Sequence, residues 1–131
     1  MTFVDASALV AVLLEEPDSE RISRAMEDAQ RLFTSPIAIF EAVAAIMRER
    51  AFSRPEAQTL VERALRVANI EIIPIDRKAG DIALDALGRY GKRSGHKARL
   101  NMGDCFAYGC AKSLGVALLY KGNDFAATDL A

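Results

Sequence analysis

Apolar and polar positions alternate along the chain so as to divide it into units, in each of which a short β-branched or aromatic run hands over to a helical repeat. Thr2, Phe3 and Val4 favour extended backbone, and the apolar run from Ala8 to Leu14 continues as a helix. Asp5 and Ser7 stand at the junction, where their side-chain oxygens can accept from the free N–H groups of that helix. A strand feeding a helix in this way suits a central strand of a parallel sheet, and ligands of such sheets bind outside the carboxyl ends of the strands. Asp5 is expected at such an end, either as a helix cap alone or as a site carboxylate.

Past the Glu15-Glu16-Pro17 break, Ile22, Ala25, Met26 and Ala29 recur at the spacing of an amphipathic surface helix. Leu32 to Thr34 forms a second strand, and Ser35 with Pro36 supplies the cap and first turn of the next helix. From Pro36 to Met47 every residue is apolar except Glu41, which predicts a helix buried on all sides. A carboxylate inside such a helix is costly unless cations or donors meet it, so Glu41 is a site candidate; the alternative is that it reaches water past small alanines. Ser53 and Glu56 form a capping box around Pro55, and Ala57, Leu60, Val61, Ala64, Leu65 and Ala68 mark one face of a long helix. Ile70 to Ile75, interrupted by Glu71 and Pro74, fits a third strand. Ala79, Ile82, Ala83, Ala86, Leu87 and Tyr90 then line another helix, with Asp81 and Asp85 solvated on its other side.

Asn101 caps a further helix with Asp104 in its first turn. That helix stays apolar through Ala111 and is expected to be internal. Gly115 stops it before a strand from Val116 to Tyr120, which runs into Lys121-Gly122-Asn123-Asp124-Phe125. Repeated β-α units of this kind predict an α/β fold, a parallel sheet with helices on both faces.

With 131 residues, 51% of them hydrophobic, the chain suffices for one domain whose core needs neither disulfides nor structural metal. Its formal charge of −1 conceals a basic stretch, Gly91 to Arg99, holding Lys92, Arg93, His96, Lys97 and Arg99 between glycines. Cationic loops of this kind follow phosphate backbones, though many serve solubility alone. His96 is the only histidine, which argues against a histidine-based triad and leaves it as a phosphate or solvent contact. Cys105 and Cys110 match neither a zinc pair nor a CxxC motif and read as buried, reduced thiols of a cytosolic protein. The opening apolar run contains Asp5, lacks a basic leader and is too short to cross a bilayer, so neither export nor membrane insertion is expected.

Asp5, Glu41, Asp104 and Asp124 all fall at strand ends or helix starts that such a sheet gathers at one rim. Four acids there would repel one another, and a hard divalent cation removes the repulsion. Oxygen ligands without a histidine or cysteine cluster point to Mg²⁺ or Mn²⁺ rather than zinc. Such a site activates water against phosphate esters without a serine or cysteine nucleophile.

Val4-Asp5-Ala6-Ser7-Ala8-Leu9, the lone Glu41 in its apolar helix, Leu100-Asn101-Met102-Gly103-Asp104-Cys105-Phe106-Ala107-Tyr108, and Leu119-Tyr120-Lys121-Gly122-Asn123-Asp124-Phe125 with Thr128-Asp129 resemble the VapC toxins, ribonucleases with a PIN domain. The resemblance covers essentially the whole chain in order and is most specific from Asn101 to Tyr108. It implies a three-layer α/β/α sandwich with a central parallel sheet, a single PIN-like domain over residues 1–131, and a Mg²⁺-dependent endoribonuclease acting on RNA. It further implies a cognate VapB-type antitoxin that blocks the acidic pocket, a homodimer, and larger complexes with the antitoxin. Carried over, Asp5 and Asp104 match the principal metal ligands and Glu41 the third acid. Asp124, with Asn123 as its substitute, overlaps the fourth position. Ser7 fits a hydroxyl that orients Asp5 or a water on the ion, while Ala6 departs from the threonine of many relatives.

Two rivals use the same residues. One is a haloacid-dehalogenase-like phosphatase with Asp5 as nucleophile, in which Ser7 would occupy the position of a second acid. The other is a non-catalytic nucleic-acid-binding or regulatory module whose acids are caps and whose basic loop alone binds.

Overall fold

A computed structural model describes residues 1–131. Ten elements follow one another: β1 (Thr2–Val4), α1 (Ala6–Leu13), α2 (Ser19–Asp28), β2 (Leu32–Thr34), α3 (Pro36–Arg50), α4 (Arg54–Val67), β3 (Ile70–Ile72), α5 (Arg77–Tyr90), α6 (Met102–Leu114) and β4 (Ala117–Leu119). The four strands form one sheet in the order β3-β2-β1-β4, parallel throughout. Two crossovers run from β1 through β2 to β3 in one direction. The third returns across the whole sheet to place β4 on the free side of β1, with Phe3 opposite Leu118 and Phe33. Because such crossovers are right-handed, reversing direction puts the third connection on the opposite face. The helix contacts agree: α1 packs against α2, α3 and α4, while α5 packs chiefly on α6. The result is the expected three-layer α/β/α arrangement.

Local chemistry sets most boundaries. The Ser35 hydroxyl accepts from the Ala38 amide at 3.2 Å with Pro36 in the first turn, and the Ser53–Glu56 capping box is formed in both directions. Gly115 ends α6 in the left-handed conformation, φ 68°. Gly109 lets α5 lie directly on α6, since a Cβ there would come within 2.5 Å of the Ala79 carbonyl oxygen. Cys105 and Cys110 are free and buried, and Asp81 and Asp85 are exposed beside Arg77 and Arg89, as expected.

Three expectations need correcting. The third strand ends at Ile72 rather than Ile75, because its partner β2 ends at Thr34, whose carbonyl takes a last bond from the Ile73 amide at 2.9 Å. The fourth spans Ala117–Leu119 rather than Val116–Tyr120, matching the three residues of β1. Finally, α3 is not buried on all sides: Ala38, Ala42, Val43 and Ile46 face the core, while Pro36 is exposed and Phe40 is 75% exposed. Glu41 therefore stands at the boundary of the core, half-buried, rather than inside it. No helix is long and apolar enough to cross a membrane.

Candidate active site

The reversal of direction between β1 and β4 creates a crevice at the carboxyl ends of these neighbouring strands, the usual ligand position in such sheets. Asp5 follows β1 directly. Its amide donates to the Leu119 carbonyl at 3.0 Å, and its side chain caps α1: Asp5 Oδ2 accepts from the Ser7 amide at 3.1 Å and the Ser7 hydroxyl at 2.6 Å. The same Ser7 oxygen accepts from the Lys121 amide at 3.0 Å, so one hydroxyl links Asp5 to the loop after β4. Behind it, the buried Thr34 hydroxyl donates to the Val4 carbonyl at 3.0 Å and fixes the strand end that carries Asp5.

Asp104 enters from α6. The Asn101 side chain accepts from the Asp104 amide at 2.8 Å while Asp104 Oδ2 accepts from the Asn101 amide at 3.1 Å, a reciprocal capping box that locks the carboxylate. Glu41 reaches over from α3 to lie against Gly103, where a Cβ would overlap its carboxyl group. Asp124 stands exposed on the loop after β4 beside Asn123.

These four acids sense one another. Burial raises the Asp5 carboxyl against the opposing bonds from Ser7 and the Ala6 amide, and the charge of Asp124 raises it further; Asp5 is 5% exposed. Burial followed by repulsion from Asp5 and Asp104 moves Glu41 up to about 7. Asp104 rises to about 6, through burial first, then Asp124 and Asp5, against the Asn101 bond and the attraction of Lys92. The fields of residues far apart in sequence thus overlap at one place. The charge of Asp124 reaches both Asp5 and Asp104.

Helix capping accounts for one oxygen of Asp5 and one of Asp104, and for nothing at Glu41. The close hydrogen bonds at both aspartates fall on Oδ2, which leaves each Oδ1 without a close side-chain partner. Open carboxylate oxygens, held rigidly and crowded by like charge, suit a hard divalent cation. They are not closed into a cage, as no three His, Cys, Asp or Glu side chains form a ready metal-ligating group.

The basic loop adjoins this cluster through Lys92. Lys92, Arg93, Lys97 and Arg99 are exposed and none is engaged by an acid in an ion pair. His96, expected as a phosphate or solvent contact, is partly exposed and also makes bonds within the loop. Its Nδ1 accepts from the Ala98 amide at 3.0 Å and its ring meets Tyr90 edge-on at 4.8 Å, so it staples the loop. A groove of about 620 Å³ lies at the other end of the sheet, lined by Met26, Arg31, Leu32, Asn69 and Glu71 among others, away from the four acids.

Gly103, Thr34 and the Lys121 amide escaped the sequence reading. Only Gly103 left a signal there, as a glycine directly preceding an acid in a first turn. Gly103→Ala should displace the Glu41 carboxyl while favouring helix by up to about 1 kcal/mol. We therefore expect the Glu41 titration midpoint, followed by NMR, to fall from about 7 towards 4.5 with the melting temperature kept. An unmoved midpoint would contradict the contact.

The PIN domain family matches residues 2–130. A VapC ribonuclease of Rhizobium meliloti (strain 1021) is 45% identical over 141 residues, covering 99% of each chain. Among solved structures, Mycobacterium tuberculosis VapC20, described as a sarcin-ricin loop cleaving toxin, superposes with a TM-score of 0.77 at 16% identity, over 100% of this chain and 97% of that one. VapBC2 from Rickettsia felis, bound to a DNA fragment from its promoter, gives 0.70 at 14% identity, over 95% and 90%. At such identities the two structures bear on the fold alone.

Proposed function

The chain belongs to the PIN domain family, within its VapC ribonucleases, and from that premise we propose that it is the toxin of a toxin-antitoxin module, an endoribonuclease dependent on Mg²⁺ or Mn²⁺. What supports this reading is that Glu41 lies against Gly103 beside Asp104, that Ser7 ties Asp5 to the loop bearing Asp124, and that Asp5, Glu41 and Asp104 are each raised by the charge of another of these acids.

In this reading Asp5 and Asp104 would hold the ion, with Glu41 and Asp124 completing the acidic wall. When bound, the ion would make a coordinated water more acidic and offset charge on the scissile phosphate. Ser7 keeps Asp5 in its rotamer and ties it to the Asp124 loop. Glu41, lying against Gly103 beside Asp104, would be placed to accept a proton from a water held there. Lys92, Arg93, Lys97 and Arg99 contact RNA phosphates on a loop shaped by His96. The Ser7 hydroxyl is committed to Asp5 and Lys121, which leaves no second acid for a phosphatase built on Asp5.

A VapB-type antitoxin is the proposed partner, in keeping with the VapBC2 complex among the structural neighbours. A homodimer and larger assemblies with the antitoxin belong to the same proposal. The exposed apolar side of α3, with Pro36 and Phe40, offers surface for one of them. We place the activity in the cytoplasm.

The test incubates RNA with the purified chain in Mg²⁺ and in EDTA. Cleavage is expected in Mg²⁺ only. Cleavage persisting in EDTA would remove the metal, and binding without cleavage in any divalent ion would favour the non-catalytic module. Replacing Lys92, Arg93 and Lys97 by Ala should also reduce the salt dependence of RNA binding, by a slope of about 0.7 for each phosphate no longer neutralised. An unchanged slope would take the loop out of the site.

A further inference from the structure

We infer that Asp129 is a positioning residue for the acidic crevice: its carboxylate fastens the segment bearing Asp124 to the side of α6 and thereby sets where Asp124 stands relative to Asp5 and Asp104. The inference deepens the ribonuclease reading and rests on it for its activity arm.

Beyond β4 the chain forms no further helix or strand, and Asp124 projects from it exposed. Its placement depends on attachments to either side. Upstream, the Lys121 amide donates to the Ser7 hydroxyl at 3.0 Å. Immediately downstream, Phe125 is buried against the Tyr120 ring, centroids 5.0 Å apart, and the Thr128 hydroxyl donates to the Phe125 carbonyl at 2.8 Å. The last attachment is Asp129. Its Oδ1 accepts from the Tyr108 hydroxyl at 2.7 Å and more distantly from the Tyr90 hydroxyl at 3.4 Å, and its Oδ2 from Lys112 Nζ at 2.6 Å.

Asp104, Tyr108 and Lys112 follow one another at four-residue intervals and share one stripe of α6. The segment therefore runs alongside α6 in register, with Asp124 near Asp104 and Asp129 at Tyr108 and Lys112. An isolated surface ion pair would contribute little, but here the carboxylate also satisfies the hydroxyl of Tyr108, which is 1% exposed. Through Tyr90 the same carboxylate is joined to the cationic loop, because Tyr90 carries the edge of His96 and accepts from Arg89 at 2.9 Å.

The test uses the whole chain with Asp129→Ala, Asp129→Asn, Tyr108→Phe, Asp124→Asn and the Asp124→Asn/Asp129→Ala double variant. Amide hydrogen exchange in residues 122–128 is expected to quicken about tenfold in Asp129→Ala, and less in Asp129→Asn and Tyr108→Phe, while β1 and α1 keep their protection. RNA cleavage by Asp129→Ala is expected to lose about tenfold in kcat with KM unchanged, whereas the same substitution made in Asp124→Asn costs nothing further. Unaltered exchange would overturn the fastening. Equal losses in both backgrounds would reduce Asp129 to a general support of the fold and overturn its action through Asp124. Should the parent chain cut no RNA with any divalent ion, the ribonuclease reading fails by itself, and the exchange experiment alone decides the fastening.

Discussion

Asp5→Asn is expected to lower RNA cleavage by about 10²–10³-fold or more while leaving the fold intact, the order of loss seen when one preorganised electrostatic group is removed from an active site. Asparagine has nearly the same shape and retains an oxygen that can accept from the Ser7 amide and hydroxyl, so the cap of α1 survives. What disappears is a charge in a site that is 5% exposed and already opposed by Asp124. Removing it relieves repulsion, and the melting temperature should hold or rise slightly. Asp104→Asn should behave alike, since its side-chain oxygen can still accept from the Asn101 amide. Paired measurements of cleavage rate in Mg²⁺ and of thermal unfolding separate chemistry from folding. Cleavage at the parental rate by either variant would withdraw that residue from the site.

The second large effect is on stability as a function of pH. Glu41 titrates at about 7 and Asp104 at about 6 in the folded chain, above their ordinary 4.5 and 3.8. Between those limits the folded state holds protons that the unfolded chain has already released, so stability falls as pH rises. The contribution of these groups is full below about pH 4 and is lost on passing 7. In EDTA the melting temperature should decline by about 5 °C across that window, and Glu41→Gln should flatten the upper part of the decline. Mg²⁺ added at pH 7.5 should restore what was lost, because an ion bound only by the folded state stabilises by mass action. In Asp5→Asn that rescue should vanish. A melting temperature indifferent to pH, or equal rescue in Asp5→Asn, would contradict a shared anionic site.

Features whose causes are local could be read directly from the chain. Ser35-Pro36, the Ser53–Glu56 box and Asn101 with Asp104 each announce a helix start, because a cap is decided within four residues. Strand ends were less legible. Ile73 to Ile75 are as β-prone as Ile70 to Ile72, but pairing stops where β2 stops, and nothing near Ile75 encodes the length of β2. Similarly, an apolar run cannot distinguish Ala42, which meets the core, from Phe40, which meets none of it.

The candidate site divides along the same line. Asp5 and Asp104 could be found because acids at helix starts have a recognisable setting, and Glu41 because an acid in an apolar run calls for explanation. Gly103 matters only through the residue that leans on it from another helix, and the bond that His96 accepts from the nearby Ala98 amide leaves no mark in the sequence. Asp129 looks like an ordinary surface acid until Tyr108 and Lys112 are seen beside it.

The pairing of β1 with β4 joins residues 2–4 to residues 117–119. During translation, the segment that supplies Asp5 leaves the ribosome long before the segment that supplies Asp124, and the two halves of the crevice cannot meet until the later one has emerged. Completion of the crevice is consequently a late event in synthesis, timed by the emergence of residues 117–124 rather than by that of residues 2–5.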